Sequence, residues 1–412
     1  MQFVKTDDLK VGMRIARPIY NRDGVLLYER DSKLTFQGIH SVRNFGLIGM
    51  FILEPAEPVP PMTEEDIEFE RFQTVSVFAI QEELNRILQT KKAQKIQMIV
   101  ASIIKSYGRL EHKINFIQNL RSKEDFIYKH VLNVAILSAM MAHHMNLGME
   151  EQVDVVTAAI VHDIGKLAEA KHLIGKEELT TQEEVVLHNA MVNGYEFIEQ
   201  ILAVTPEVKR YCVQFQKGLD CLKGEASAKE VKQTKASRIL MVAEMFDVMT
   251  AMQFGKAPES PVKALFYLME HEDLFGSDTV EALINSIHIL SPGVCVELNT
   301  GEKGVIVRSN DDNVLRPVVL TFEHNELREL FDNSAYGDIE IVDIMRTLDN
   351  RYVMDLDLLR ENGYLPPLEI NEEEVGETLK TEEKEMKNKE LEEQNLEVED
   401  TDFEEYVPGK DF

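Results

Sequence analysis

The chain has 412 residues, about three times the ~150 residues of a typical domain, so we expect two or three folded units. Hydrophobic residues make up 44% and charged residues 28%, a balance that excludes a wholly disordered chain. The formal net charge of -29 repels nucleic-acid phosphates and anionic lipids, so no DNA, RNA or membrane partner is expected. A negatively charged substrate would need a local positive centre, such as a metal ion.

The pattern of cysteines and the length of the apolar runs indicate the cellular compartment. The three cysteines, Cys212, Cys221 and Cys295, form no CxxC pair, which argues against a disulfide framework and a thiolate zinc site. The first residues lack the apolar core of a signal peptide, and no run reaches the ~18 apolar residues that span a bilayer. We therefore expect a soluble protein of the cytoplasm.

The first 60 residues predict a small β-rich module. Short apolar runs alternate with turn signals such as Asn21–Gly24, and a helix-like stretch at 34–44 precedes a strand-like one at 47–53. Prolines then end the regular structure, at Pro58, Pro60 and Pro61. We place the module at residues 1–60.

The middle of the chain predicts an all-α region. Apolar residues recur at three- and four-residue spacing, and the predicted helices cover 63–90, 93–119, 123–147, 150–163, 181–203 and 235–252. Thr63, Ser122 and Thr180 are predicted to cap helices. Ser122 and Thr180 are each followed three residues later by an acidic residue, which is the pattern of a capping box. We assign 63–119 as a helical connector, which could pair with a second copy, and 120–290 as a helical bundle domain.

The pattern changes again after Ser291. Alternating apolar residues on both sides of the turn at 300–304 predict a β-hairpin, and further strand candidates follow at 317–320 and 339–342. Residues 291–348 are therefore predicted to form a small β appendage. Residues 371–412 are strongly acidic and poor in apolar side chains, which predicts a disordered tail that either solubilises the chain or docks a protein partner.

Three histidines lie on the apolar faces of predicted helices. They are His130, His162 and His188, and a single histidine in such a place is usually a satisfied core residue. His162 is followed directly by Asp163, where a buried helix ends at Gly165, so both side chains can reach one divalent cation. Lys166 adds a positive charge that can offset phosphate. Such a metal ion would make hydroxide available at neutral pH.

These residues resemble a known family. The segment 162–166 (HDIGK), Tyr128-Lys129-His130 before it, and His188 and the segment 237–250 after it are similar to the HD-GYP branch of the HD phosphohydrolase superfamily. Leu290–Gly293 is similar to the start of a terminal β-piece in that family, and the first 55 residues to a module found ahead of it. The resemblance is strong over about 120–300 and loose on both flanks.

The resemblance implies an HD-type helical domain that binds iron or manganese and hydrolyses cyclic di-GMP, a bacterial second messenger. It implies His130, His162, Asp163 and His188 as metal ligands, with Glu244 where the family has Asp. Asp163 and Lys166 are implied as catalytic, and Lys166 and Asp220 as substrate contacts. The chain departs from the family's HHE and GYP motifs, which are replaced by Phe215-Gln216-Lys217 and Lys223-Gly224-Glu225.

The departures affect two metal sites unequally. The first site keeps His130, His162, Asp163 and Glu244, whereas the second keeps only His188 and the shared Asp163. We therefore expect one transition-metal ion per chain. Two functions stay open: a metal-dependent phosphodiesterase acting on a cyclic dinucleotide, or a catalytically impaired relative that serves as a cyclic-dinucleotide-binding or protein-interaction scaffold.

Overall fold

The computed structural model describes residues 2–20, 25–53, 62–201, 204–224 and 232–345. The predicted turn at Asn21–Gly24, the proline cluster after residue 57 and the acidic tail at 371–412 lie outside these residues. The fold is mainly α, with a β-rich N-terminal module and a small C-terminal sheet, as the sequence predicts. The domain boundaries given above stay predictions.

The N-terminal module contains a three-stranded antiparallel sheet in the order β1-β5-β2, a separate hairpin of β3 and β4, and one helix. Thr35 caps that helix, since its hydroxyl accepts a hydrogen bond from the Gly38 amide. Ile15, Val42 and Met50 form a core separate from that of the helices. The elements are β1 Gln2–Lys5, β2 Arg14–Ile15, β3 Ile19–Tyr20, β4 Leu26–Tyr28, α1 Phe36–Asn44 and β5 Gly49–Leu53.

Eleven further helices follow in the described residues up to Ser286. The helix cap predicted at Thr63 and the capping box predicted at Thr180 are both formed, each as a capping box with Asp66 or Glu183 as the reciprocal partner. The helices are α2 Glu64–Thr90, α3 Ile96–Ser106, α4 Phe126–His144, α5 Met149–Val161, α6 Ile164–Glu169, α7 Thr181–Glu199, α8 Pro206–Leu222, α9 Lys235–Thr250, α10 Pro261–Glu270, α11 Glu272–Phe275 and α12 Ser277–Ser286.

Helix α4 forms the centre of the bundle. Its side chains are apolar on nearly all sides, which is the pattern of a fully buried helix. It packs against α2, α3, α5, α9 and α12. The apolar face of α2, which includes Phe69, Val77 and Leu84, is buried in this same core. This face is therefore not available for the predicted pairing of 63–119 with a second copy. That pairing stays a prediction.

Two helix predictions were wrong in their limits. The helix expected over 93–119 ends at Ser106, because the backbone of Ile114 instead exchanges hydrogen bonds with Ser286 and His288. Helix α4 begins at Phe126 rather than at 123, since Ser122 and Asp125 bond each other in a turn before it. Helices α8 and α10–α12 were not predicted. Pro206 in the first turn of α8 was an available signal.

The C-terminal appendage is a five-stranded antiparallel sheet in the order β10-β6-β7-β8-β9. The predicted hairpin is confirmed as β6 and β7, and Gly301 takes the positive φ of its turn. Val296, Ile306 and Ile341 join the helical core. The elements are β6 Cys295–Leu298, β7 Lys303–Arg308, β8 Val318–Thr321, β9 Leu327–Glu329, α13 Asn333–Tyr336 and β10 Ile341–Ile344. Across the described ranges, no helix combines the length and apolarity needed to cross a bilayer.

Candidate metal centre

The His162–Asp163 pair lies at the junction of two helices. His162 ends α5, and Asp163 directly precedes α6. A close contact fixes this junction, because an added Cβ at Gly165 would lie 2.0 Å from the backbone oxygen of Ala190 in α7. Only glycine permits that approach. The packing of α6 on α7 therefore holds both functional side chains in the buried interior.

Side chains from three parts of the bundle meet at this junction. His130 comes from α4 and Glu244 from α9, and both are buried like His162 and Asp163. Glu244 Oε2 lies 2.9 Å from His130 Nε2 and 3.3 Å from His162 Nε2. Asp163 Oδ1 lies 3.5 Å from His162 Nε2, and Asp163 Oδ2 lies 3.8 Å from His130 Nε2. We call these four residues the HD cluster.

The geometry of the HD cluster fits one metal ion. Ligand atoms of His130, His162 and Asp163 all lie within 4.8 Å of one another. Two ligand atoms on opposite sides of a metal ion, each bonded at ~2.1 Å, are about 4 Å apart, so the observed separation is close to that of a metal site. Two imidazoles and two carboxylates suit zinc, manganese or iron. This set is the predicted first site.

Hydrogen bonds orient both imidazoles toward the centre. Nδ1 of His130 lies 2.7 Å from Asp247 Oδ2, and Nδ1 of His162 lies 2.7 Å from the backbone oxygen of Ala159. Each Nδ1 therefore carries a proton, and each Nε2 faces the other ligands. This arrangement is the one that metal-binding histidines adopt.

Three ligand atoms lack a well-oriented hydrogen bond among the residues that the structure describes. They are His162 Nε2, Asp163 Oδ1 and Glu244 Oε2, all fully buried. Their nearest neighbours are charged or titratable groups of the same site: Glu244 Oε2 lies 2.9 Å from His130 Nε2, and Asp163 Oδ1 lies 2.7 Å from Lys166 Nζ. Leaving a buried polar atom without a hydrogen bond costs about 1–3 kcal/mol. A cation placed among the three atoms would bind them all at once, so the HD cluster is suited to a metal ion rather than being a satisfied polar core.

The charges within the HD cluster keep its carboxylates ionised. Burial alone would raise the pKa of Glu244, but His130 and His162 hold it well below its usual range. Burial also opposes ionisation of Asp163, whose pKa is lowered by Lys166 and His162. Burial would lower the pKa of His130, yet Glu244 and Asp247 raise it to about 10. Both anions needed to bind a cation are therefore present at neutral pH.

Lys166 contacts the HD cluster through Asp163. Its Nζ lies 2.7 Å from Asp163 Oδ1 and 2.8 Å from Oδ2. Burial opposes the charge, but Asp163 and Glu244 raise the pKa of Lys166, so it stays a cation. It thus holds the ligand carboxylate in place and brings positive charge beside it.

Sequence reasoning missed the residues that support His130. Asp247 is fully buried and receives hydrogen bonds from Arg121 Nη2 at 2.6 Å and from Asn133 Nδ2 at 2.8 Å. Arg121 is also fully buried. Asp247 lies three residues after Glu244 on α9, a spacing that places both on one helix face. That spacing could have indicated Asp247 from the sequence, whereas no sequence pattern pointed to its long-range partner Arg121.

The other predicted residues form a separate group beside the HD cluster. His188 Nδ1 lies 3.9 Å from Asp220 Oδ1, and Gln216 Nε2 donates to Asp220 Oδ1 at 2.7 Å. Gln216 Oε1 accepts a hydrogen bond from the Tyr195 hydroxyl at 3.2 Å. His188 is about one-third exposed and does not share the three-ligand grouping of His130, His162 and Asp163. We call His188, Gln216 and Asp220 the α7–α8 group.

Phe215 packs against the HD cluster. Its ring lies edge-on against the His162 ring, with 5.4 Å between the ring centroids, and it is fully buried. The first of the two residues counted as replacements for the lost histidines therefore lies directly beside His162. A phenyl ring offers no ligand atom, so Phe215 brings no donor for a second metal ion.

The chain is similar to known proteins. Residues 127–249 match the family model described as HD domain. Over 225 residues the chain is 21% identical to a cyclic di-GMP phosphodiesterase of Pseudomonas aeruginosa, covering 54% of each chain. The chain thus spans about half the length of this curated relative. A solved HDG"Y"P protein from Bdellovibrio bacteriovorus covers 68% of this chain and 97% of its own, at 13% identity and a TM-score of 0.38.

The matched region contains His130, His162, Asp163 and Glu244, the four residues that meet in the HD cluster. It begins in the first turn of α4 and ends near the end of α9. The central helices therefore match an HD domain, and the similarity to the Pseudomonas relative agrees with the resemblance to the HD-GYP branch, from whose HHE and GYP motifs the chain departs.

Proposed function

We propose that this protein is a metal-dependent phosphohydrolase that binds one divalent transition-metal ion, iron or manganese, through His130, His162, Asp163 and Glu244. The observation that carries the proposal is the set of buried, converging ligand atoms that lack well-oriented hydrogen bonds in the described structure. His188 remains the ligand that a second ion would use, together with Asp163. The packing of Phe215 on His162 supports a single ion instead.

Each residue of the site has a separate role in phosphodiester hydrolysis. When bound, a divalent ion supplies hydroxide at neutral pH by lowering the pKa of water to about 7. Asp163 and Glu244 bring negative charge to hold the ion, and Asp247 fixes the ring of His130. Lys166 orients Asp163 and offsets the charge of a phosphate group. Asp220, in the α7–α8 group, is the proposed substrate contact.

We propose a cyclic dinucleotide, cyclic di-GMP, as the substrate, in cytoplasmic signalling. Support comes from the Pseudomonas relative, which carries the name of a cyclic di-GMP phosphodiesterase. The global net charge of -29 would repel this dianion. Lys166 and the metal ion together supply the positive centre that binding requires.

A second candidate function has its own support. Gln216, which stands where the family has a histidine ligand, donates a hydrogen bond to Asp220 instead, and Phe215 packs its ring on His162. These contacts favour a catalytically impaired HD domain that binds the cyclic dinucleotide without hydrolysing it, or a protein-interaction scaffold.

Turnover of labelled cyclic di-GMP in the presence of manganese separates the two functions. The enzyme should hydrolyse it, and Asp163→Asn should reduce turnover by orders of magnitude because it weakens the metal site. Asp154→Asn is the matched control, since it makes the same change at a position of α5 outside the HD cluster. Binding without turnover would support the scaffold, and turnover that survives Asp163→Asn would contradict the proposed site.

A further inference from the structure

A short segment at residues 117–122 lies between the N-terminal module and the HD cluster. It belongs to no helix and comes between α3 and α4. It contacts the module on one side and the residues that support His130 on the other. We call it the linking segment, and none of its residues is a proposed metal ligand.

Hydrogen bonds attach the main chain of the linking segment to the module. The Ile48 amide donates to the backbone oxygen of Arg121 at 2.9 Å. Arg17 Nη1 donates to the backbone oxygen of Gln118 at 2.6 Å. The module therefore holds the backbone of the segment at two places, three residues apart.

Apolar packing strengthens this attachment. Leu120, although it comes from the linking segment, packs against the apolar core of the module. Leu47 of the module forms an antiparallel β-bridge with Ser122. The module and the segment are therefore joined by buried apolar surface as well as by hydrogen bonds.

Two buried side chains of the linking segment bond the helices of the HD cluster. Arg121 Nη2 lies 2.6 Å from both carboxylate oxygens of Asp247, and both side chains are fully buried. Gln118 donates to the Thr250 hydroxyl at 2.9 Å and accepts from Asn133 Nδ2 at 2.8 Å. The segment is thus bonded to α4 and α9, the two helices that carry His130 and Glu244.

The guanidinium group of Arg121 makes few bonds of its own. Its Nε and Nη1 are buried without a hydrogen-bond acceptor among the residues that the structure describes, whereas Nη2 bonds Asp247. The guanidinium carbon lies 5.2 Å from the centre of the Phe126 ring. A side chain with so few bonds takes its position from its main chain, which the module holds through Ile48.

Asp247 connects Arg121 to the metal centre. Asp247 Oδ2 lies 2.7 Å from His130 Nδ1, and this contact directs His130 Nε2 toward Glu244, whose Oε2 is 2.9 Å away. Groups that hold a ligand histidine in this way typically change metal affinity about 10- to 100-fold when they are lost. A shift of the linking segment would therefore change the orientation of a metal ligand, although no residue of the segment is itself a ligand.

We propose that Arg121 is a positioning residue of the metal centre, and that the N-terminal module, by holding the linking segment, sets the orientation of His130 and the metal affinity of the HD cluster. The module is then a regulatory element of the site, since its displacement from the segment weakens metal binding. The part that concerns metal affinity rests on the proposed function, whereas the part that concerns the orientation of His130 does not.

Arg17→Met in the full chain tests the attachment without changing a residue of the linking segment or the HD cluster. It removes the donor to Gln118 and keeps an apolar side chain for the Phe51 ring, which the Arg17 guanidinium now covers at 4.6 Å. In metal-free protein with isotope-labelled histidine, the Nδ1–H of His130 should exchange with water about fivefold faster or more, as measured by NMR. Manganese titration should show an affinity lowered by a similar factor.

Three further variants separate positioning from a general loss of packing. Arg43→Met is the matched control, because it makes the same change at an exposed position of the same module. Arg17→Lys keeps a cationic donor and should restore most of the parent exchange rate and affinity. Leu120→Ala weakens the apolar contact of the linking segment with the module and should act in the same direction as Arg17→Met.

An unchanged exchange rate of the His130 Nδ1–H in folded Arg17→Met and Leu120→Ala would overturn the proposal, as would an equal acceleration in Arg43→Met. Faster exchange with an unchanged manganese affinity would overturn the control of metal binding by the module. A parent protein that binds no manganese would fail the proposed function, while the exchange rates of the metal-free variants would still decide whether the module positions His130.

Discussion

Glu244 of the HD cluster and Glu70 of α2 are both buried glutamates, yet their surroundings shift the pKa of the carboxyl group in opposite directions. Glu244 lies between His130 and His162, and these imidazoles keep its pKa well below the usual range although burial opposes them. At Glu70 burial outweighs the charges of Arg17 and Arg30 and raises the pKa to about 7. Burial alone therefore does not decide the charge of a buried acid; the basic groups packed against it do.

The largest effect on stability and metal affinity should come from removing Asp247, which supports His130 of the HD cluster. Asp247→Ala leaves the fully buried Arg121 without its counter-ion, and losing one member of a buried pair costs about 3–5 kcal/mol. It also frees the ring of His130, so metal affinity should fall about 10- to 100-fold. Urea unfolding and metal titration measure the two effects.

Glu199→Ala is the control for this variant, since it removes a carboxylate from the exposed Lys209–Glu199 ion pair. Exposed pairs contribute at most about 1 kcal/mol, so stability should change little. If Asp247→Ala is no more destabilising than Glu199→Ala, the buried network does not support the HD cluster as described.

Restoring imidazoles beside the HD cluster should raise the metal content. Phe215 packs on His162, and Gln216 bonds Asp220, so Phe215→His with Gln216→His places two new ligands next to His188 and Asp163. The exchange of a buried phenyl ring should cost about 1–3 kcal/mol in the apo protein, so metal must be present during folding. Elemental analysis of the folded double variant should then give more metal per chain than the parent.

An unchanged metal content in a folded double variant would contradict the assignment of 215 and 216 to the lost histidine positions. Phe215→Leu with Gln216→Asn is a useful comparison, because it changes the same two positions without adding an imidazole or a carboxylate ligand.

The smallest effect concerns Glu70 and pH. Its folded-state pKa of about 7 lies above the ordinary value of 4.5, so the unfolded chain releases this proton first as pH rises. Glu70 therefore lowers the free energy of unfolding progressively between pH 4.5 and 7, by on the order of 1–3 kcal/mol. Glu70→Gln should remove this loss. Urea unfolding at pH 5 and pH 7.5 should show a smaller pH difference than in Glu68→Gln, the same change at an exposed position of α2, and an identical difference would contradict the raised pKa.

The local part of the candidate site could be predicted from the sequence. His162, Asp163 and Lys166 are close in the chain, and the periodicity around His130 and Glu244 places each on a buried helix face. Family resemblance then joined these three segments. The cap residues Thr63 and Thr180 were equally local signals and were confirmed.

The long-range partners could not be predicted in the same way. Arg121 and Asp247 are 126 residues apart, and Gln73 and Asn133 are 60 apart, so only the packing of α2, α4 and α9 brings them together. Residues 107–119 were predicted as part of a helix because their apolar spacing is helical, whereas the backbone of Ile114 bonds the end of α12 and the residues that follow it.

The metal content of the purified protein tests the central claim most directly. Elemental analysis after loading with iron or manganese, and removal of loosely bound ions, should give close to one ion per chain. His162→Ala should reduce this value to near zero, because it removes a ligand whose Nε2 faces the centre of the HD cluster. A parent protein that takes up no metal, or a variant that keeps its full content, would contradict the account.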